Sequence, residues 1–464
     1  MTRRHRPVIV ALDNPWSSLA LASLFRMGMA RGGVEPFSIL RHMMNTSQAN
    51  PSSSSDASGT DRGSFLRAVV AMGVGGFGIG TGEFVIMGLL PDAARDLRVT
   101  IPQAGHLISA YAMGVVVGAP VLAVLAARMG RRALLMALML AYALGNFASA
   151  VAPGYHSMML MRLLSGLPHG TYFGVAALVA ANMAPAGKRA QAVGYVMLGL
   201  TMATLVGVPL AAGLGQWLGW RAAFAMVGGI ALIAALLITR WIPHLAVDAD
   251  ASPWRELGAL RRKQVWLTLG IAAIGFGGLF AVFSYVKPTL MNLASLPETG
   301  VPLVLALFGV GTVGGNVIGS YLADKALMPT IGGLLLWSGL VSVIFCFTAS
   351  HLYLGAFTVM LVGTGVALAP ALQIRLMDVA GDAQTLAAAL NHSAFNMANA
   401  LGAWLGGLAI AKGLGWASTG WVGLLLALGG LMVFAVSLLE MRRDGGRREH
   451  ARAAVIPMGE SCNP

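Results

Sequence analysis

Twelve apolar stretches, each close to the roughly 20 residues a helix needs to cross a bilayer core of about 30 Å, run through this chain between residues 67 and 439. They fall at 67–90, 104–126, 133–152, 157–181, 190–214, 220–241, 264–286, 301–323, 328–349, 352–374, 385–411 and 417–439. In hydrocarbon each backbone N–H and C=O must be satisfied within its own segment, so the stretches are expected to be helices. The short alternating segments of a transmembrane barrel are absent. With 57% of residues hydrophobic and 11% charged, and a mean hydropathy of +0.74, the chain carries more apolar surface than a soluble domain could bury. The 60 glycines suit the close helix packing of a membrane bundle. The fold class expected is an all-α integral membrane protein.

The formal charge of +13 reads as topology and not as a nucleic-acid footprint. With the N-terminus placed in the cytoplasm, 25 of the 31 Lys and Arg fall on the inside. They cluster at Arg128, Arg131 and Arg132, at Lys188 and Arg189, at Arg240–Lys263 and in both terminal segments. The outer loops hold Arg95, Arg98, Arg221, Lys287 and Lys412. This asymmetry predicts a multi-pass protein of a bacterial plasma membrane with both termini cytoplasmic. Cys346 lies in a span and Cys462 in the tail, which supports neither a disulfide framework nor a metal site. No metal or other cofactor is expected.

Residues 1–63 are basic and then Ser-rich, and are expected to be a disordered extension. Met27, Met29, Met43 and Met44 could each begin a shorter chain. Residues 64–242 and 264–440 form two halves of six spans, joined by a linker at 243–263 and followed by a basic tail at 441–464. The halves repeat. Pro91 and Pro288, expected to close the first and seventh spans, lie 197 residues apart. MATLVG at Met202–Gly207 returns as MANALG at Met397–Gly402, 195 residues later. The basic turn at Arg128 meets LADK at Lys325, again 197 residues on. Parallel six-span halves with a site between them near the bilayer midplane are a transporter architecture.

Glu83 is the one carboxylate well inside an apolar span; the other acids fall in tails, in loops or near span ends. A charge there is costly and marks a functional site by default. The functional reading is a proton carrier; the alternative is a structural carboxylate bonded between helices. Counted from Pro91, Glu83 lies about 12 Å below the outer surface, level with Arg162 at about 9 Å. Arg162 is either its electrostatic partner or a fixed or snorkelling cation. His169, seven residues on, could relay protons or simply bridge helices. His392, Asn396 and Asn399 form a polar stripe for substrate or for interhelical bonding. Tyr111, Asn146 and Tyr172 are further cavity candidates. Lys287 reads as an interface anchor.

Several motifs together resemble the major facilitator superfamily, in the arabinose-efflux and chloramphenicol-efflux branch of its twelve-span drug:proton antiporters. They are GTGEFVIMGLLP at Gly80–Pro91, IPQAG at Ile101–Gly105, RLLSGLPHG at Arg162–Gly170, GVPLAAG at Gly207–Gly213 and NHSAFNMANALGAWLGG at Asn391–Gly407. The resemblance spans about Phe65–Glu440 and implies two pseudo-symmetric six-helix halves. It implies a span-five antiporter motif at Gly207, Pro209 and Gly213, in which Val208 separates Gly from Pro. It also implies gating loops at Arg128, Gly130, Arg131 and Arg132 and at Gly319, Asp324 and Lys325. The first of these departs from the pattern, because Ala123 and Ala127 stand where Gly and Asp are usual. The charge lock that the resemblance implies for that loop lacks its acid.

The function expected is proton-coupled efflux of small drugs or sugar-like compounds by a monomer, with protons and substrate as partners. An importer or facilitator on the same fold is the alternative, and a non-transporting sensor the second. A linker of about 20 residues is far short of the ~50 a soluble output domain would need. No paired carboxylates, His cluster or nucleophile–base arrangement inside the spans points to an enzyme.

Overall fold

The computed structural model describes residues 57–243 and 252–454. The expectations for residues 1–56 and for the end of the tail lie outside that range. The described residues contain helices and turns and no strand. Twelve helical segments are long and apolar enough to cross a membrane. In the first half they are Gly63–Met87, Gln103–Leu125, Arg131–Ala150, Tyr155–Met183, Arg189–Leu218 and Trp220–Trp241. In the second they are Lys263–Phe283, Val301–Lys325, Leu327–Thr348, Leu352–Ala380, Gln384–Ala411 and Ser418–Arg443. They are numbered here as spans one to twelve.

Both prolines expected to close spans behave otherwise. The helix of span one runs from Ala57 to Asp96, through Pro91. Span seven ends at Phe283, and Pro288 sits in the first turn of the next helix, Val286–Leu293. There its missing N–H has no intrahelical partner to lose. Span ten extends six residues beyond its expected end, to Ala380, and the last helix continues through the basic segment to Ala454.

The duplication read from sequence recurs in the packing. A Cβ on Gly114 of span two would run into the carbonyl of Leu163 on span four. A Cβ on Gly311 of span eight would meet the carbonyl of Met360 on span ten in the same way. Each partner of the second pair lies 197 residues after its counterpart in the first. The two close crossings are one design used twice, and each needs a residue without a side chain.

Two hydrophobic clusters lie wholly within the first half, around Tyr142, Phe173 and Val227 and around Leu89, Trp220 and Phe224. A third lies within the second half, around Val286, Phe308 and Phe345. The fourth joins the halves: Ala119, Ala177 and Val193 pack with Leu335, Leu372 and Leu386. Spans two and four meet span eleven across this seam, and span five meets span eight.

Candidate functional site

Glu83 lies 13 residues before the end of its helix at Asp96, and His169 lies 14 residues into span four from Tyr155. At 1.5 Å per residue both lie about 20 Å from those helix ends. The carboxylate accordingly meets His169, with Glu83 Oε2 4.0 Å from His169 Nδ1. The Glu83 side chain is 12% exposed.

From His169 a chain of polar contacts crosses the protein. Its Nδ1 is 3.0 Å from the Tyr111 hydroxyl on span two. Its Nε2 is 3.3 Å from Nδ1 of His392 on span eleven, in the other half. One self-consistent proton arrangement has Tyr111 O–H donating to Nδ1 and His169 Nε2–H donating to His392. The Phe173 ring stacks on His392 with centroids 4.5 Å apart, which holds the imidazole flat against span four. Tyr111, His169 and His392 are all buried.

Arg162 is fully buried and does not snorkel. Its Nη1 donates to the carbonyl of Gly82 at 2.9 Å, beside Glu83 in sequence. Its guanidinium lies 4.4 Å from the centroid of the Tyr111 ring and 5.4 Å from that of Phe224. Its Nε and Nη2 have no hydrogen-bond partner among the described residues. The cation thus touches the backbone of span one and an aromatic face, while the carboxylate turns to His169. A buried guanidinium with two unpartnered donor nitrogens is an anion-seeking group.

The other candidates disperse. Tyr172 donates to the Met72 carbonyl at 2.8 Å and fastens span four to span one. Asn146 donates to Tyr142 O at 2.8 Å and Asn396 to His392 O at 3.0 Å, each within its own helix. Asn399 is half-buried on span eleven. In span five, Gly207 closes a π-turn at Ala203–Gly207, and Pro209 opens the helical segment Val208–Leu218. A Cβ at Gly207 would meet Thr81 of span one, whereas Gly213 has open space beside it. The turn fits a proline two residues on, which cannot donate to the helical ladder. Lys287 is exposed.

At the basic end of the bundle, Asp324 caps span five. Its two carboxylate oxygens accept from the N–H groups of Ala190 at 2.6 Å and Gln191 at 2.8 Å. Arg189 pairs with Asp378 at 2.9 Å, again between halves. Lys325 lies over the Tyr321 ring. Arg128 is exposed, Gly130 precedes span three, and Arg131 begins it. Arg132 donates to the Thr239 carbonyl on span six. Gly319 lets span eight approach Ala367 of span ten. Sequence reasoning missed Asp378, Phe173 and the His169–His392 contact.

The first half supplies Glu83, Tyr111, Arg162 and His169, and the second half adds His392. At 197 residues beyond Glu83, Tyr111, Arg162 and His169 stand Phe280, Phe308, Val359 and Val366. The frame is duplicated and the chemistry is not. This asymmetry, with twelve spans in two halves, meets a family pattern described as Major Facilitator Superfamily that matches residues 72–379. The chain belongs to the Major Facilitator Superfamily. It is 40% identical over 368 residues to the inner membrane transport protein YdhP of Escherichia coli (strain K12), covering 79% of this chain and 95% of that protein. It is 34% identical over 372 residues to a chloramphenicol resistance protein of Streptomyces lividans, covering 78% and 92%. Its backbone is similar to that of the superfamily transporter FucP in the outward conformation. That match has a TM-score of 0.64 and 15% identity over 81% of this chain and 99% of that one, a likeness of fold. This superfamily member is therefore a multi-pass membrane protein of a transporter family that moves small molecules.

Proposed function

We propose that this transporter expels small amphipathic compounds in exchange for protons, with Glu83 as the proton carrier. The observation that carries the reading is the placement of the buried Glu83 carboxylate 4.0 Å from His169, whose other ring nitrogen contacts His392 in the opposite half. A proton gained or lost at Glu83 changes the charge next to a contact that joins the two bodies. That is what a coupled rocking motion needs.

In this mechanism the cavity opens to the cytoplasm with Glu83 ionised and takes up substrate. The halves rock outward. Glu83 is protonated from outside as substrate leaves, and the return stroke delivers the proton inward. Arg162, beside Gly82 and Tyr111, stabilises the ionised carboxylate. It is also a second anchor for a polar group on the substrate. The efflux direction and the drug-like substrate class draw on the chloramphenicol resistance protein to which the chain is similar.

Direction is tested by accumulation of labelled chloramphenicol and related amphipathic drugs in cells with and without the gene. Efflux predicts lower accumulation in expressing cells, reversed by a protonophore. Higher accumulation in expressing cells would make the protein an importer.

A further inference from the structure

Asp324 and the N-terminus of span five have an exact counterpart in position, but not in residue, across the duplication. The residue 197 positions before Asp324 is Ala127, which has no group to offer. The backbone N–H that corresponds to Gln191 belongs to Leu386, 195 residues later, near the start of span eleven. That N–H is nevertheless capped by a carboxylate. Glu256 Oε2 accepts from Leu386 N at 2.8 Å.

Glu256 comes from the linker between the halves, on a short helix, Pro253–Leu257. Ser252 starts that helix by accepting from the Arg255 N–H at 3.2 Å, and Pro253 suits its first position. The carboxylate is thus held on a capped turn and not on a loose tether. Glu256 is 8% exposed. Ala127, Arg131, Glu256, Asp382 and Thr385 all line one cavity of about 340 Å³, so Glu256 and position 127 border the same space.

We propose that Glu256 replaces the missing acid at position 127: it clamps span eleven at the basic end as Asp324 clamps span five, and makes the linker a working part of the gate. Both clamps use a carboxylate on the first N–H groups of a span, where the helix dipole favours negative charge. Both must release for that end to open. The consequence for transport rests on the alternating-access reading above; the clamp itself does not require proton coupling.

The test uses full-length protein in lipid nanodiscs, with Cys346→Ala and Cys462→Ala as background. Nitroxide labels are placed at the exposed positions Ala186 and Ala326, one in each half, and their separation is read by pulsed electron resonance. Glu256→Ala is expected to shift the ratio of long to short separations by about tenfold, the scale of one charge-assisted hydrogen bond. Glu256→Ala with Ala127→Asp is expected to restore the parent distribution. A distribution unchanged by Glu256→Ala overturns the proposal, and so does failure of Ala127→Asp to restore it. If Glu256→Ala alone does not fold, recovery of a folded, parent-like protein in the double variant supports the clamp, and no recovery overturns it. The readout involves neither proton flux nor substrate, so it stands apart from any failure of the Glu83 mechanism.

Discussion

Nε2 of His169 lies 3.3 Å from Nδ1 of His392, a contact between spans four and eleven that joins the two halves within reach of Glu83. Each imidazole is buried, so each depends on its neighbours for hydrogen bonds. His392→Phe keeps the ring that stacks on Phe173 and removes the nitrogen. It is expected to lower the transport rate about tenfold, matching roughly 1.4 kcal/mol for a buried partner left unpaired. Asn396→Ala, whose amide bonds within its own helix, is expected to have less effect. Initial rates of drug efflux in vesicles of both variants check this.

Arg162 spends one of its donors on Gly82 and leaves Nε and Nη2 without partners among the described residues. Burying donors without hydrogen-bond partners is costly, and an apolar side chain of similar size relieves that cost. Arg162→Met is therefore expected to leave the melting temperature unchanged or raised while abolishing transport. Arg162→Lys is expected to fail as well, because an ammonium does not reproduce the planar fork. Thermal unfolding in detergent, paired with transport, separates this from a structural role, which would lower both together.

The matched crossings at Gly114 and Gly311 set a third expectation. A side chain at either position meets a backbone carbonyl of the facing span, and overpacking of this kind costs about 1–3 kcal/mol. Gly114→Val and Gly311→Val are expected to destabilise the protein by similar amounts. Gly105→Ala, where nothing lies within 4 Å, is expected to be silent. Melting temperatures of the three variants test whether the duplication holds energetically.

Outside the spans, Asp96 accepts hydrogen bonds from Arg221 and, at 3.2 Å, from Trp220. The Arg221 hydrogen bond holds its carboxyl below the usual range. Its contribution to stability is present above the ordinary Asp value of about 3.9, and is lost as pH falls through the lower folded value. The pair is half-exposed, so the effect is expected to stay within about 1 kcal/mol. Asp96→Asn should lower the melting temperature slightly at pH 7, with the gap to the parent closing in acid. A gap that persists at pH 2 would contradict the assignment.

The sequence reading located all twelve spans, because length and hydropathy alone decide what a bilayer accepts, and it found the duplication that Gly114 and Gly311 express in three dimensions. It set Glu83 level with Arg162 as a possible pair, and singled out His169 and His392 as separate candidates. Their convergence was not legible, since three different spans must cross at one depth. Glu256 escaped notice for another reason: in a charged linker a single acid carries no pattern, and only its bond to Leu386 sets it apart. The missing acid at position 127 was visible, and its replacement was not.

The most direct test of Glu83 as proton carrier is substrate-induced proton flux in everted membrane vesicles energised to an acidic interior, comparing the parent with Glu83→Gln across a panel of amphipathic drugs and sugars. The account predicts that substrate releases protons from parent vesicles and not from the variant. Equal proton release from both would contradict it, as would equal substrate movement by both without proton flux, which would make the carboxylate structural and the protein a facilitator.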